Sequence, residues 1–133
     1  MANEFISGAH HIAIKCKDVE EFAADIKFWT KALGLDVYRE AGEGDDAMAM
    51  LSCGSVLLEI FATGKELEGN GSVNHVALAC SNVDAVIEAA RAVGAPVTME
   101  PREIVIGSEP PMPARIAFFT GPAGESVELF DEH

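Results

Sequence analysis

A chain of 133 residues, 49% hydrophobic and 7% aromatic, is long enough for one well-cored domain and too apolar to stay disordered. Its formal charge is −13, and its nine Lys and Arg residues are spread singly, so no positive stripe forms for a phosphate backbone and nucleic acid is not an expected partner. No stretch reaches the roughly 18 apolar residues of a membrane span and the N-terminus carries no signal-peptide pattern, so neither membrane association nor export is expected and a cytoplasmic location is.

Residues 9–16 alternate as a β-strand, with His11, Ala13 and Lys15 on one face and Ile12, Ile14 and Cys16 on the other, apolar face. A helix follows, with Asp18 as N-cap, Glu21 three residues on, and an apolar stripe of Val19, Phe22, Ile26, Trp29 and Leu33 running up to Gly34. Residues 35–40 read as a strand, 41–46 as a glycine-rich loop, and 47–53 and 55–62 as a hairpin turning at Gly54. Met48 and Met50 share one face of the first hairpin strand, and nothing local says which. The polar segment 63–72 is a linker.

A strand at 73–80 then leads to a helix capped at Ser81 or Asn82, with Val83, Val86, Ile87, Ala90 and Val93 inward and Gly94 as its stop. Strands at 97–106, 114–119 and 126–130 complete the chain. The proline-rich stretch 107–113 between two of them is either a lid or a stiff connector.

The order of elements repeats, and so do the residues. His11 to Val19 (HIAIKCKDV) matches His75 to Val83 (HVALACSNV), while Glu59-Ile60-Phe61 is answered by Glu128-Leu129-Phe130. Module one covers 9–62 and module two 73–131, within a single domain over 1–133. Each module opens with a histidine whose face carries alanines and closes with a glutamate flanked by apolar residues that point the other way. A carboxylate on an apolar strand is costly to bury unless it is paired or metal-bound. Taken singly, each of these residues reads as an ordinary strand residue; taken together, His11, Glu59, His75 and Glu128 read as ligands of one divalent metal ion, since Ni²⁺, Co²⁺, Zn²⁺, Mn²⁺ and Fe²⁺ accept mixed nitrogen and oxygen donors. His10 shares parity with Ile12 and Ile14 and has Asn74 as its counterpart, so it is not expected to be a ligand. The cysteines lack C-x-x-C spacing and read as reduced thiols, with Cys16 and Cys80 at equivalent helix-facing positions.

The two His openings, Phe28-Trp29 with Leu33-Gly34-Leu35, and Ile116-Ala117-Phe118-Phe119 followed by Gly121-Pro122, Gly124 and Glu128-Leu129 resemble the vicinal oxygen chelate superfamily (glyoxalase, bleomycin resistance protein and extradiol dioxygenase) over essentially the whole chain. The resemblance implies an α+β fold in which two repeated βαβββ modules form a half-open barrel around a metal site. Within the superfamily the chain is most similar to glyoxalase I, which implies His11, Glu59, His75 and Glu128 as metal ligands and a small-molecule substrate, a hemithioacetal of a methylglyoxal-type 2-oxoaldehyde. It further implies a glutamate that moves a proton between adjacent carbons, with Glu128 as base and Glu59 as its partner, and a homodimer. The first helix is about one turn longer than is usual there, and the basic residues that could grip a thiol conjugate, Arg39, Arg102 and Arg115, are scattered. Three alternatives come from the same superfamily: a methylmalonyl-CoA epimerase, echoed by Glu100-Pro101-Arg102 but usually carrying glutamine at the position of Glu59, an extradiol-type dioxygenase with two histidines and one glutamate on iron, and a non-catalytic drug-binding protein.

Overall fold

The computed structural model describes residues 2–32, 34–65, 71–121 and 125–133. Leu33 of the expected stripe, the middle of the expected linker (66–70) and the 122–124 part of the C-terminal motif lie outside the described residues. The elements are β1 (Ile6–Cys16), α1 (Val19–Lys27), β2 (Asp36–Ala41), β3 (Met48–Cys53), β4 (Val56–Ala62), β5 (Val73–Cys80), α2 (Val83–Ala92), β6 (Val97–Ile106), β7 (Met112–Thr120) and β8 (Ser126–Glu132), together with short 3₁₀ turns at Ala2–Glu4 and Gly44–Asp46. None of the described helices is long and apolar enough to cross a membrane.

The eight strands of the described residues form one sheet, in the order β2-β3-β4-β1-β5-β8-β7-β6. The two halves of that order mirror each other about the antiparallel β1–β5 seam, and each module adds one parallel pair, β1–β4 or β5–β8. The sheet curls as the half-open barrel of two βαβββ modules that the repeat implies. Its two faces are packed differently. On the convex side Ile12, Ile14 and Cys16 meet Phe22, Ile26 and Trp29 of the first helical segment, and Cys80, Ala117 and Leu129 meet Val83, Val86 and Ile87 of α2. On the concave side Met48, Met50, Ala77, Met112, Ala114, Ile116 and Phe130 pack together, which settles the face of the two methionines.

Both helices start as their side chains dictate: Asp18 accepts from the Glu21 amide at 2.8 Å, and Asn82 from the Ala85 amide at 3.0 Å, satisfying amides that have no partner within the helix. Their ends differ from expectation. The first helix leaves α geometry after Lys27 and widens into a π turn over Phe28–Ala32, where the Thr30 hydroxyl donates to the Ile26 carbonyl at 2.7 Å and so competes with the regular ladder. The second ends at Ala92, so Val93 becomes the residue after it and is 84% exposed instead of inward. Gly94, at φ +86°, takes the left-handed conformation that turns the chain away.

Strand β7 begins at Met112, two residues earlier than expected, because Met112 and Ala114 are both drawn into the concave core. The intervening loop is thereby shortened to 107–111, with Ser108 buried and its hydroxyl donating to the Pro110 carbonyl at 2.8 Å. That is the arrangement of a stiff connector. A larger departure concerns His10. The register of β1 against β5 slips between Ala9 and His11, leaving His10 as an extra, bulged residue. Simple alternation fails there, and the His10 ring stacks on Phe130 of the concave cluster, 4.2 Å between centroids, instead of joining Ile12 and Ile14.

Candidate metal centre

Strand register brings the four repeated residues to one spot. In the β1–β4 and β1–β5 pairings Ala13 lies opposite both Glu59 and His75, and in the β1–β5 and β5–β8 pairings Ala77 lies opposite both His11 and Glu128. Two cross-strand rows result, each with an alanine in the middle, and directly paired residues place their Cβ atoms about 4.5–5.5 Å apart on one face. Ala13 and Ala77 are both fully buried. A methyl group there is low enough for the longer flanking side chains to converge above it. Leucine at position 77 would occupy that space; Ala77→Leu is expected to cost about 1–3 kcal/mol in stability from overpacking and to remove metal binding, read by urea unfolding alongside a metal titration.

The convergence is tight. One donor atom from each of His11, Glu59, His75 and Glu128 lies within 4.8 Å of all the others. The Nε2 atom of His11 is 2.9 Å from Glu128 Oε1 and 3.2 Å from Glu59 Oε1, and the Nε2 atom of His75 is 3.1 Å and 3.9 Å from the same two oxygens. All four side chains are buried, His11 completely. The flanking concave residues Met50, opposite Glu59, and Phe118, opposite Glu128 and edge-on to the His75 ring, supply an apolar surround.

The family model described as the Glyoxalase/Bleomycin resistance protein/Dioxygenase superfamily matches residues 8–129. The chain belongs to this superfamily. Among solved structures it is similar to a hypothetical protein from Bacillus halodurans C-125, with a TM-score of 0.73 at 17% identity over 94% of each chain. It is also similar to the 2,3-dioxygenase LapB from Pseudomonas sp. KL28, with a TM-score of 0.64 at 17% identity, over 92% of this chain and 41% of that one. A glyoxalase/bleomycin resistance protein/dioxygenase superfamily member from Vibrio splendidus 12B01 gives a TM-score of 0.55 at 15% identity, over 92% and 96% of the two chains. At these identities the likeness is one of fold. No curated protein matches the chain.

In this superfamily member the donor set suits a divalent cation: oxygens of two buried carboxyl side chains and nitrogens of two imidazoles converge on the same point. The electrostatics of the four side chains agree. Burial disfavours a charged His11, but hydrogen bonds and attraction to Glu128 and Glu59 outweigh it and push His11 up to about 9. Burial likewise opposes the charge on Glu128, yet its contacts with His11 and His75 hold it below the usual carboxylate value. Without an ion, a proton on His11 fills the cation's role.

The pH dependence of the metal-free protein follows. His11 is raised above its ordinary 6.5, so its contribution to stability is complete below about 6.5 and is lost as pH rises through about 9. Glu128 is lowered, so its contribution is present above its ordinary 4.5 and is lost as pH falls below that. Thermal melts in EDTA are therefore expected to show declining Tm from pH 6.5 to 9, and a saturating divalent ion should flatten this decline by replacing the proton. A Tm in EDTA that rises across the same interval would contradict the assignment.

The three arginines do not line the centre. Arg115 forms a two-pronged pair with Asp84 of α2 at 2.7 and 2.8 Å, Arg39 donates to the Tyr38 carbonyl with its guanidinium over the Tyr38 ring, and Arg102 is exposed. Sequence reasoning also missed residues that touch His11 and His75. His10 and Asn74 each contact the imidazole that follows them, and the signal available was their position, one residue before each repeated histidine.

Proposed function

We propose that this protein is a metal-dependent, glyoxalase I-like enzyme that moves a proton between adjacent carbons of an α-hydroxycarbonyl or of a 2-oxoaldehyde hemithioacetal. One observation carries the reading: two carboxylates, Glu59 and Glu128, converge with the two histidines, where two histidines and one carboxylate would suffice for a dioxygenase-type iron site. His11, Glu59, His75 and Glu128 would hold the ion, with Ni²⁺, Co²⁺ or Zn²⁺ as first choices and Mn²⁺ or Fe²⁺ as others. A divalent ion in that position supplies Lewis-acid polarisation of two neighbouring substrate oxygens.

The chain's own residues do the rest. Glu128, kept ionised by its imidazole neighbours, takes the proton from the hydroxyl-bearing carbon beside the carbonyl; the electron pair of the broken C–H bond forms a carbon–carbon double bond as the carbonyl π pair moves onto the carbonyl oxygen, and the hydroxyl proton passes to that oxygen as the new carbonyl forms. The proton then returns to the neighbouring carbon, so the reaction is an isomerisation with no net oxidation. Glu59 is the partner carboxylate. Its longer contacts, 3.2 and 3.9 Å against 2.9 and 3.1 Å for Glu128, support a second assignment in which the more loosely held Glu59 is the base. The apolar neighbours of the centre, buried Met50 and Phe130 and partly buried Phe118, restrict water around the developing charge.

Those apolar neighbours, and arginines engaged or exposed elsewhere, favour an uncharged substrate over a conjugate carrying several carboxylates. We further propose a homodimer, checked by light scattering after gel filtration. The reaction class is tested by solvent deuterium at the product carbon with methylglyoxal and a panel of thiols, run beside oxygen uptake on catechols. Deuterium or internal proton return with turnover supports the isomerase; oxygen consumption without either places the protein among the dioxygenases.

A further inference from the structure

Of the three register shifts in the β1–β5 seam, two fall at repeat-equivalent places. In β1 the pairing steps from Ala9↔Leu78 to His11↔Ala77, so His10 has no partner; in β5 it steps from Val73↔Ile14 to His75↔Ala13, so Asn74 has none. A bulge turns its extra residue out of strict alternation and re-aims its side chain. Here both bulged side chains come to rest on the ring of the histidine that follows. His10 Nδ1 lies 2.8 Å from His11 Nδ1, and Asn74 Oδ1 lies 2.8 Å from His75 Nδ1.

The first contact continues across the barrel mouth. His10 Nε2 is 2.8 Å from Glu132 Oε1, and the Tyr38 hydroxyl of β2 donates to Glu132 Oε2 at 2.9 Å. Donor and acceptor roles follow from the far end. A carboxylate only accepts, so His10 carries its proton on Nε2. A neutral His10 then offers a lone pair at Nδ1, so His11 carries a proton on Nδ1, and a metal would take the place of the second proton that His11 Nε2 holds toward Glu128 and Glu59. In the second repeat the Asn74 carbonyl oxygen accepts from His75 Nδ1 and has the same result. The His10 ring is itself held by Phe130, so the chain has little freedom to reorient.

We propose that His10 and Asn74 are positioning residues: paired bulges in β1 and β5 place them so that each fixes the tautomer and ring orientation of the next histidine, presenting both Nε2 atoms to the metal, with Glu132 and Tyr38 anchoring His10. This rests on the metal-site reading above. Metal-ligating histidines depend on such outer partners, whose loss typically costs about 10- to 100-fold in metal affinity.

The test combines Co²⁺ and Zn²⁺ competition titrations with imidazole ¹⁵N NMR of the folded protein, with and without metal, on His10→Ala, His10→Asn, Asn74→Leu and Asn74→Asp. In the wild type, with and without metal, protonated Nδ1 is expected at His11 and His75 and protonated Nε2 at His10. His10→Ala and Asn74→Leu should each weaken metal binding about 10- to 100-fold and redistribute the ring proton of the adjacent histidine. Asparagine at position 10 copies the second repeat and aspartate at position 74 keeps the accepting oxygen, so both should stay within a few-fold of wild type. Weakened binding with unchanged ring ¹⁵N shifts would mean a purely structural effect and overturns the proposal, as do unchanged affinities or an unprotonated Nδ1 at His11 or His75. If the wild type binds no divalent ion, the metal-site reading falls, and the metal-free NMR pattern alone then decides whether the tautomers are set as stated.

Discussion

Alanine in place of His11 or His75 is expected to remove a nitrogen donor and to lower divalent metal affinity by more than the roughly 100-fold upper range for losing an outer partner. The two effects should be similar, because the repeat makes the two positions equivalent about the β1–β5 seam. The loss of metal counts only where the variant is folded. His11→Ala deletes a fully buried ring between Phe130 and His75 and leaves two buried carboxylates without that partner, so stability is lost and the fold of the variant has to be verified beside its metal content. Metal content after purification, measured with the circular dichroism spectrum, checks both halves of the statement. Unchanged metal content in both variants would dismiss the four-ligand centre.

The second large effect concerns turnover. Glu128→Gln preserves size and one coordinating oxygen while removing the basic carboxylate, so metal should be retained in part and kcat should fall by about 10²- to 10⁴-fold, the usual worth of a general base. Glu59→Gln is its control. If Glu128 is the base, the glutamine at position 59 leaves most of the turnover; if the longer contacts of Glu59 mark the base, the larger loss moves to that variant. Equal loss in both, with metal retained, would mean that the carboxylates act as a pair at the two carbons.

Most of the site could be read without the fold because a repeat is visible to inspection. His11 and His75 open equivalent strands and Glu59 and Glu128 close them, and alternation alone placed each on the face away from the helices, where the structure has it. Both N-caps were legible for a similarly local reason: an Asp or Asn side chain finds its amide three residues away, whatever the rest of the chain does. Helix ends were less so. The π turn at Phe28–Ala32 and the exposure of Val93 follow from how the last turn meets the sheet, and an apolar residue at helical spacing looks the same whether the helix reaches it or stops one residue short.

Sequence alone therefore determined the α+β architecture, the two-module order and the four residues whose side chains converge, since each depends on period-two alternation and on a motif stated twice. Tertiary structure decided which face Met48 and Met50 take, that the arginines are engaged or exposed away from the centre, and that His10 joins the centre's surroundings. The physical reason is the same in each case. A bulge is a mismatch of register between two strands, and an ion pair or a curled sheet is a relation between distant segments, so none of them is written in the spacing of a single strand.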